Sequence, residues 1–173
     1  ATDFGDLIAG NQVGQNGAMA SPTRAVIAGG YESGNPAVQR MQYVTMSTLG
    51  NAADFGDLTN AVRSQISASS NAVRACTYGG HDASSRVDHI EFVTIATLGN
   101  SQDFGNLSAA RRITNGTSSS TRGVISGGYL APSRLDTMEY VQLMSTGNTT
   151  DFGNLAATKY ANTGAASNGH GGL

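Results

Sequence analysis

Asp54-Phe55-Gly56-Asp57-Leu58 is the stretch that decides the fold, because it is one of four copies. The others begin at Asp3, Asp103 and Asp151, with Asn106 and Asn154 in place of the second acid, and successive starts lie 51, 49 and 48 residues apart. Three more markers keep that register. Gly-Gly followed by Tyr or His falls at Gly29-Gly30-Tyr31, Gly79-Gly80-His81 and Gly127-Gly128-Tyr129. An apolar-polar-aromatic triplet falls at Met41-Gln42-Tyr43, Ile90-Glu91-Phe92 and Met138-Glu139-Tyr140, and a Gly-Asn pair at Gly50-Asn51, Gly99-Asn100 and Gly147-Asn148. Independent markers sharing one period define a repeat array, and this must be read before any local pattern.

Within a period the texture is that of short strands. Ala25-Val26-Ile27-Ala28 and Gly123-Val124-Ile125-Ser126 are β-branched runs stopped by Gly-Gly, while 87–95 and 135–144 are longer runs with partial alternation. The small-residue stretch ahead of each Gly-Gly, such as 112–120, suits a strand where several backbones converge. The Asp-Phe-Gly string reads as a fourth strand with its Phe turned inward, and the Gly-Asn pair ahead of it as the turn.

Composition agrees. The 173 residues include 23 Gly but one Lys (Lys159), three Glu (Glu32, Glu91, Glu139) and no Trp. Turn formers in excess and surface-helix builders in deficit exclude a helical bundle. The formal charge is −2 and the Arg residues are scattered, so no basic stripe exists for a phosphate backbone and nucleic acid is not an expected partner. No apolar run approaches the roughly 18 residues of a membrane span, and 1–5 lack the charged and apolar regions of a leader. Cys76 stands alone in a strand-like run and reads as a small buried hydrophobe.

Four strands in each period of about 50 residues fit a propeller blade better than leucine-rich, ankyrin, TPR or armadillo repeats. Each period resembles a kelch-type repeat: a small-residue inner strand, then 121–129, 135–141 and 151–155. Phe4, Phe55, Phe104 and Phe152 stand where that family usually carries Trp. The wording of the repeat is similar to kelch-like repeats of structural proteins from marine bacteriophages, especially those of cyanobacteria. The resemblance implies an all-β, kelch-like β-propeller of four-stranded blades. The chain then divides into an outer-strand fragment (1–7), three blades (8–58, 59–107, 108–155) and the inner-strand start of a further blade (156–173). The first outer strand is expected at 2–7 and the last inner strand near 158–167. No third strand is left to sit between them, so closure within one chain is incomplete. A defective four-bladed ring, copies completing one another's blades, and an excerpt of a longer array all remain open; the second would use a heterologous interface.

Catalytic and metal chemistry find no constellation in the sequence. His81, His89 and His170 share no ligand spacing with Cys or carboxylates, so neither metal nor cofactor is expected. Asp3/Asp6 and Asp54/Asp57 read as turn caps, since Asn replaces the second acid in two copies. Asp-Phe-Gly is not the kinase motif, because it recurs and no phosphate loop accompanies it. Gly29-Gly30, Gly79-Gly80 and Gly127-Gly128 open no helix, and read as places where strands approach closely. Arg24, Arg74 and Arg122 share the period, which suggests an ion pair with an Asp of the string or, alternatively, a ligand-binding ring of Arg. The loops after Gly-Gly vary most between copies, and their candidate binding residues are Glu32, Asn35, His81, Asp82, Arg86, Tyr129 and Arg134. Such variation marks either a binding face or unconstrained surface. The resemblance implies a non-enzymatic virion or extracellular protein, a tail fibre, appendage or capsid-surface component, with copies of itself, other virion proteins and host-surface glycans as partner classes. An extracellular carbohydrate-binding or carbohydrate-active bacterial propeller is the alternative.

Overall fold

The computed structural model describes residues 1–8, 11–12, 16–32, 38–59, 65–82 and 84–159, with only the main chain at 11, 12, 31, 32 and 159. These residues contain no helix; three antiparallel sheets carry the chain. Sheet one runs β2 (Gly17–Ala20), β3 (Arg24–Ala28), β5 (Arg40–Thr45) and β6 (Ala53–Asp57) in spatial order. Sheet two runs β7 (Ser67–Ser70), β8 (Arg74–His81), β9 (Arg86–Thr94) and β10 (Gln102–Asn106). Sheet three runs β11 (Asn115–Ser118), β12 (Arg122–Ser126), β14 (Ser133–Gln142) and β15 (Thr150–Lys159), and β13 (Tyr129–Leu130) also pairs with β14. A separate ladder joins β1 (Asn11–Gln12) to β4 (Tyr31–Glu32). In all three sheets the four main strands follow chain order, as short antiparallel connections favour.

Two elements depart from the sequence expectation. Residues 1–7 form no strand, because among the described residues no third strand stands beside them to complete a ladder. β15 is ten residues long where β6 and β10 have five, and its pairing reaches Leu135 with Lys159. The inner strand expected near 158–167 therefore does not begin at Thr158, which still belongs to sheet three; positions beyond 159 lie outside the described residues.

The core lies between the sheets. Alternation along each strand gives a sheet two faces, and sheet two, standing between its neighbours, buries both. Val26, Ala28, Met41, Phe55 and Leu58 of repeat one meet Ile66, Ala75, Val87, Val93 and Ile95 of repeat two. Cys76, Tyr78, Ile90, Phe104 and Leu107 of repeat two then meet Ile125, Val141 and Leu143 of repeat three. Burial of each Val, Ile, Leu, Met or Phe side chain among them contributes about 1.5–3 kcal/mol. Phe55 and Phe104 fulfil the inward placement at 2% exposure, each edge-on to the aromatic of its neighbouring strand, Tyr43 and Phe92. Phe4 and Phe152 do not, being 38% and 49% exposed.

Small residues let the inner strands converge, as expected. A Cβ on Gly116 would stand 2.9 Å from the Ala68 carbonyl carbon. The Ser70 hydroxyl donates to the Ala20 carbonyl (2.8 Å), and that of Ser118 to the Ser70 carbonyl (2.7 Å), a hydroxyl step from each sheet to the one before.

The outer margin carries the most regular joint. The Gly-Asn pair was expected to reverse the chain, yet reversal is made earlier, with Thr97 N–H donating to the Thr94 carbonyl (3.1 Å) and Ser145 N–H to that of Gln142 (3.0 Å). Gly-Asn instead docks on the Asp-Phe-Gly string of the preceding repeat. Gly99 N–H donates to the Phe55 carbonyl (2.8 Å), Ser101 N–H to the Asp57 carbonyl (2.9 Å), and Asn100 Oδ1 accepts from Asp57 N–H (3.0 Å). The same three bonds join Gly147, Thr149 and Asn148 to Phe104 and Asn106, and join Gly50, Ala52 and Asn51 to Phe4 and Asp6. Only main-chain groups of the second acid position take part, which is why Asp and Asn interchange there. The Gly of the string is required by this contact: Gly56 has φ +139°, and a Cβ on it would stand 2.5 Å from the Gly99 carbonyl carbon.

Candidate binding face

A second joint explains the polar centre of the triplet. Gln42, Glu91 and Glu139 are 0%, 3% and 2% exposed, each receiving the residue that follows the Leu of the preceding string. Gln42 Oε1 accepts from Ile8 N–H (2.8 Å); Glu91 accepts from the Thr59 N–H (3.2 Å) and hydroxyl (2.5 Å) and from the Ser101 hydroxyl (2.6 Å). Glu139 accepts from the Ser108 N–H (3.3 Å) and hydroxyl, and its Oε2 pairs at 3.0 Å with Nη2 of Arg111. Both members of that ion pair are buried. Burial pushes the Arg111 pKa down, and the Glu139 charge pulls it part of the way back up. A polar residue flanked by apolar ones in a strand faces the opposite side of the sheet, so the triplet itself held the signal for a buried polar contact. The Arg111-Arg112 pair is a feature the sequence reading missed.

From Arg111 the chain runs past the loops after Gly-Gly. Gly79 and Gly80 turn the end of β8 with φ +54° and +116°, and a Cβ on Gly79 would lie 3.0 Å from Leu107 Cδ1, so the expected close approach is present. Gly80 N–H donates to the Arg111 carbonyl (2.9 Å), and Arg112 and Tyr129 exchange main-chain bonds of 3.3 and 2.8 Å. This brings the Tyr129 ring within reach of two guanidinium groups, Arg86 at 5.3 Å and Arg112 at 5.4 Å from its centroid. Arg134 pairs opposite Tyr129 in the β13–β14 hairpin and is exposed; His81 pairs opposite Arg86 where β8 meets β9. The loop residues of sheets two and three therefore form one basic, aromatic cluster, with the Nε atoms of Arg86 and Arg112 buried and making no hydrogen bond.

Not every candidate joins it. Asp82 Oδ1 accepts from Ser84 N–H (2.7 Å) and Ser85 N–H (2.6 Å), which holds its carboxyl below the usual range and commits it to shaping its own loop. The main chain of Glu32 pairs with Asn11, and Asn35 lies outside the described residues.

The periodic Arg residues take a different partner from the one expected. Arg24 Nη1 donates to the carbonyls of Ile95 (3.0 Å) and Ala96 (2.8 Å), and Arg74 Nη1 to that of Leu143 (3.1 Å), each just past the end of a strand of the following repeat. Their guanidinium groups lie over the Tyr43 and Phe92 rings at 4.9 and 4.1 Å, and that of Arg122 over Tyr140 at 4.9 Å. No ion pair links them to the string among the described residues. The reason is alternation: with Phe55 and Phe104 inward, the preceding Asp54 and Asp103 point to solvent. The local cap does form at Asp3 and Asp151, which accept from the N–H of Gly5 (3.2 Å) and Gly153 (3.3 Å).

Cys76 is wholly buried, and desolvation pushes its thiol up to about 12, with Arg74 and Tyr78 opposing. A thiol so held is no nucleophile at neutral pH. Among the described residues no three His, Cys, Asp or Glu side chains converge as a metal site. Compared with known proteins, the chain matches no family model and no curated sequence.

Proposed function

We propose that the chain is a non-enzymatic structural module, a set of kelch-like propeller blades in a virion component such as a tail fibre, appendage or capsid-surface protein. The observation that carries the reading is where the repeated polar residues go. Arg24 and Arg74, Asn100 and Asn148, and the buried Glu91 and Glu139 are spent on joints between successive repeats, and Asn51 and Gln42 make the matching bonds to residues 6 and 8. A repeat whose invariant chemistry serves stacking is suited to building a rigid extended surface, and the phage-like wording of the repeat supplies the particle. The Arg86–Tyr129–Arg112 cluster with Arg134 suits an acidic sugar of a host surface, since guanidinium groups bind carboxylate and a tyrosine ring packs on sugar C–H. Mass spectrometry of purified particles from the phage whose genome encodes the chain tests the reading. Peptides such as 123–134 in stoichiometric amount are expected; particles lacking them would sink it.

A further inference from the structure

Each joint between sheets has two halves, and the described residues leave one open half of each kind. Sheet three offers the half that sheets one and two offer to their successors. Phe152 is 49% exposed against 2% for Phe55 and Phe104. A Cβ on Gly153 would meet nothing nearer than Met138 Cε at 4.0 Å, whereas one on Gly105 would stand 2.5 Å from the Gly147 carbonyl carbon. Arg122 is exposed where Arg24 and Arg74 reach the next sheet. Sheet one offers the opposite half. Met46 occupies the place of Ile95 and Leu143 and is 50% exposed against their 1% and 0%. Its Gly50, Ala52 and Gln42 are engaged by residues 4–8, a copy of the string with no third strand beneath it and with Phe4 still 38% exposed.

We propose that a second copy of this chain seats its sheet-one face on the sheet-three face of the first, head to tail, with its residues 1–8 giving way to Asp151–Leu155 of its neighbour. The two halves are complementary because the internal joints already use them. Asp151-Phe152-Gly153-Asn154-Leu155 repeats Asp103–Leu107 residue for residue. Phe152 brings its own edge-on partner, Tyr140 at 6.0 Å, as Phe104 brings Phe92; the string at 3–7 brings none. Gln42 accepts from a main-chain N–H at Ile8, so Ala156 can replace Ile8 without a side-chain donor. The exchange therefore substitutes a fully supported string for a partly supported one, and buries Phe152 and Met46. The interface is heterologous, so copies add in one direction. It stands independently of particle membership.

Sedimentation or native mass measurement of the full chain, from low to hundred-micromolar concentration, reads the association. Phe152→Asp and Met46→Asp lie on opposite halves and at exposed positions, so both variants are expected to fold, with unchanged far-UV circular dichroism. Each alone is expected to weaken self-association at least about tenfold, since an aspartate would be desolvated in the joint. Mixed one to one they are expected to form a heterodimer that grows no further, because one intact half remains on each. Phe4→Asp, which loosens residues 1–8, is expected to tighten association of the otherwise unchanged chain. A chain that stays monomeric, as it would if its own residues 160–173 covered sheet three, overturns the proposal. So does a Met46→Asp variant that still self-associates like the parent, and so does weakening by Phe4→Asp.

Discussion

Gly105→Ala and Gly153→Ala make the same change in the same five-residue string, yet they differ in what stands opposite. Both glycines have positive φ, +146° and +128°, so alanine at either carries a backbone cost of about 1–2 kcal/mol. At Gly153 that is the whole cost in the isolated chain, since the nearest atom is Met138 Cε at 4.0 Å. At Gly105 the methyl would overlap the Gly147 carbonyl oxygen and stand 2.9 Å from Asn148 N, so the Gly-Asn pair must withdraw. Withdrawal releases the bonds from Gly147 to Phe104 (2.7 Å), Thr149 to Asn106 (3.0 Å) and Asn106 to Asn148 Oδ1 (3.0 Å). At about 1 kcal/mol each, these add roughly 2–4 kcal/mol. Gly105→Ala is therefore expected to destabilise by about 3–6 kcal/mol and Gly153→Ala by about 1–2 kcal/mol. Urea unfolding at a concentration where the chain is monomeric measures the difference as a shift in midpoint at constant slope. Hydrogen exchange at Gly147 and Thr149 locates it, with protection lost only in Gly105→Ala. Equal destabilisation by the two variants would refute the claim that the string's glycine exists to admit the next repeat.

Three further outcomes follow from the joints and the core. Glu139→Gln leaves the Arg111 charge buried without its partner and is expected to cost about 3–5 kcal/mol, with Arg111→Met added on top recovering part of the loss; a double-mutant cycle in urea reads the coupling. Arg74→Lys loses the guanidinium contact over Phe92 and its bond to the Leu143 carbonyl and is expected to cost about 1 kcal/mol, while Arg122→Lys on the open face of the monomer costs close to nothing, as thermal unfolding at the same low concentration would register. The Cys76 thiol has a folded pKa raised from 9.0 to about 12, so the unfolded chain releases that proton first; stability is whole below about pH 9 and falls as pH climbs toward 12, by up to about 4 kcal/mol. Cys76→Ala is expected to flatten that alkaline loss in a pH series of urea midpoints, leaving the contribution of Tyr78, whose pKa burial also raises.

Much of the architecture was legible because repetition turns a weak local pattern into a strong one. The four strands per period, their order and the crowded inner strand all follow from markers that recur in one register. The inward Phe was legible for Phe55 and Phe104, where a following sheet exists to cover it. For the same reason it was wrong for Phe4 and Phe152: burial there depends on a neighbour, and each stands at an end of the stack. The Arg residues show a second limit. Their period was visible, but the ion pair read from it was not formed, because strand alternation turns Asp54 and Asp103 outward while the guanidinium groups find main-chain carbonyls of the next sheet. Of the candidate loop residues, Arg86 and Tyr129 come together in space and Arg134 pairs opposite Tyr129, whereas Arg112, which completes the cluster, arrives from a different part of its repeat.

The amino-acid order alone determined the class of structure, since side-chain alternation, Gly placement and the ~49-residue period are local properties written along the chain. Only the tertiary structure decided what the polar residues of each period are for. Gln42, Glu91 and Glu139 are buried acceptors, Gly-Asn is a clasp rather than a turn, and sheet three ends as an open half-joint. These roles are set by the register between one sheet and the next, and that register is fixed by packing across a gap that no linear pattern encodes.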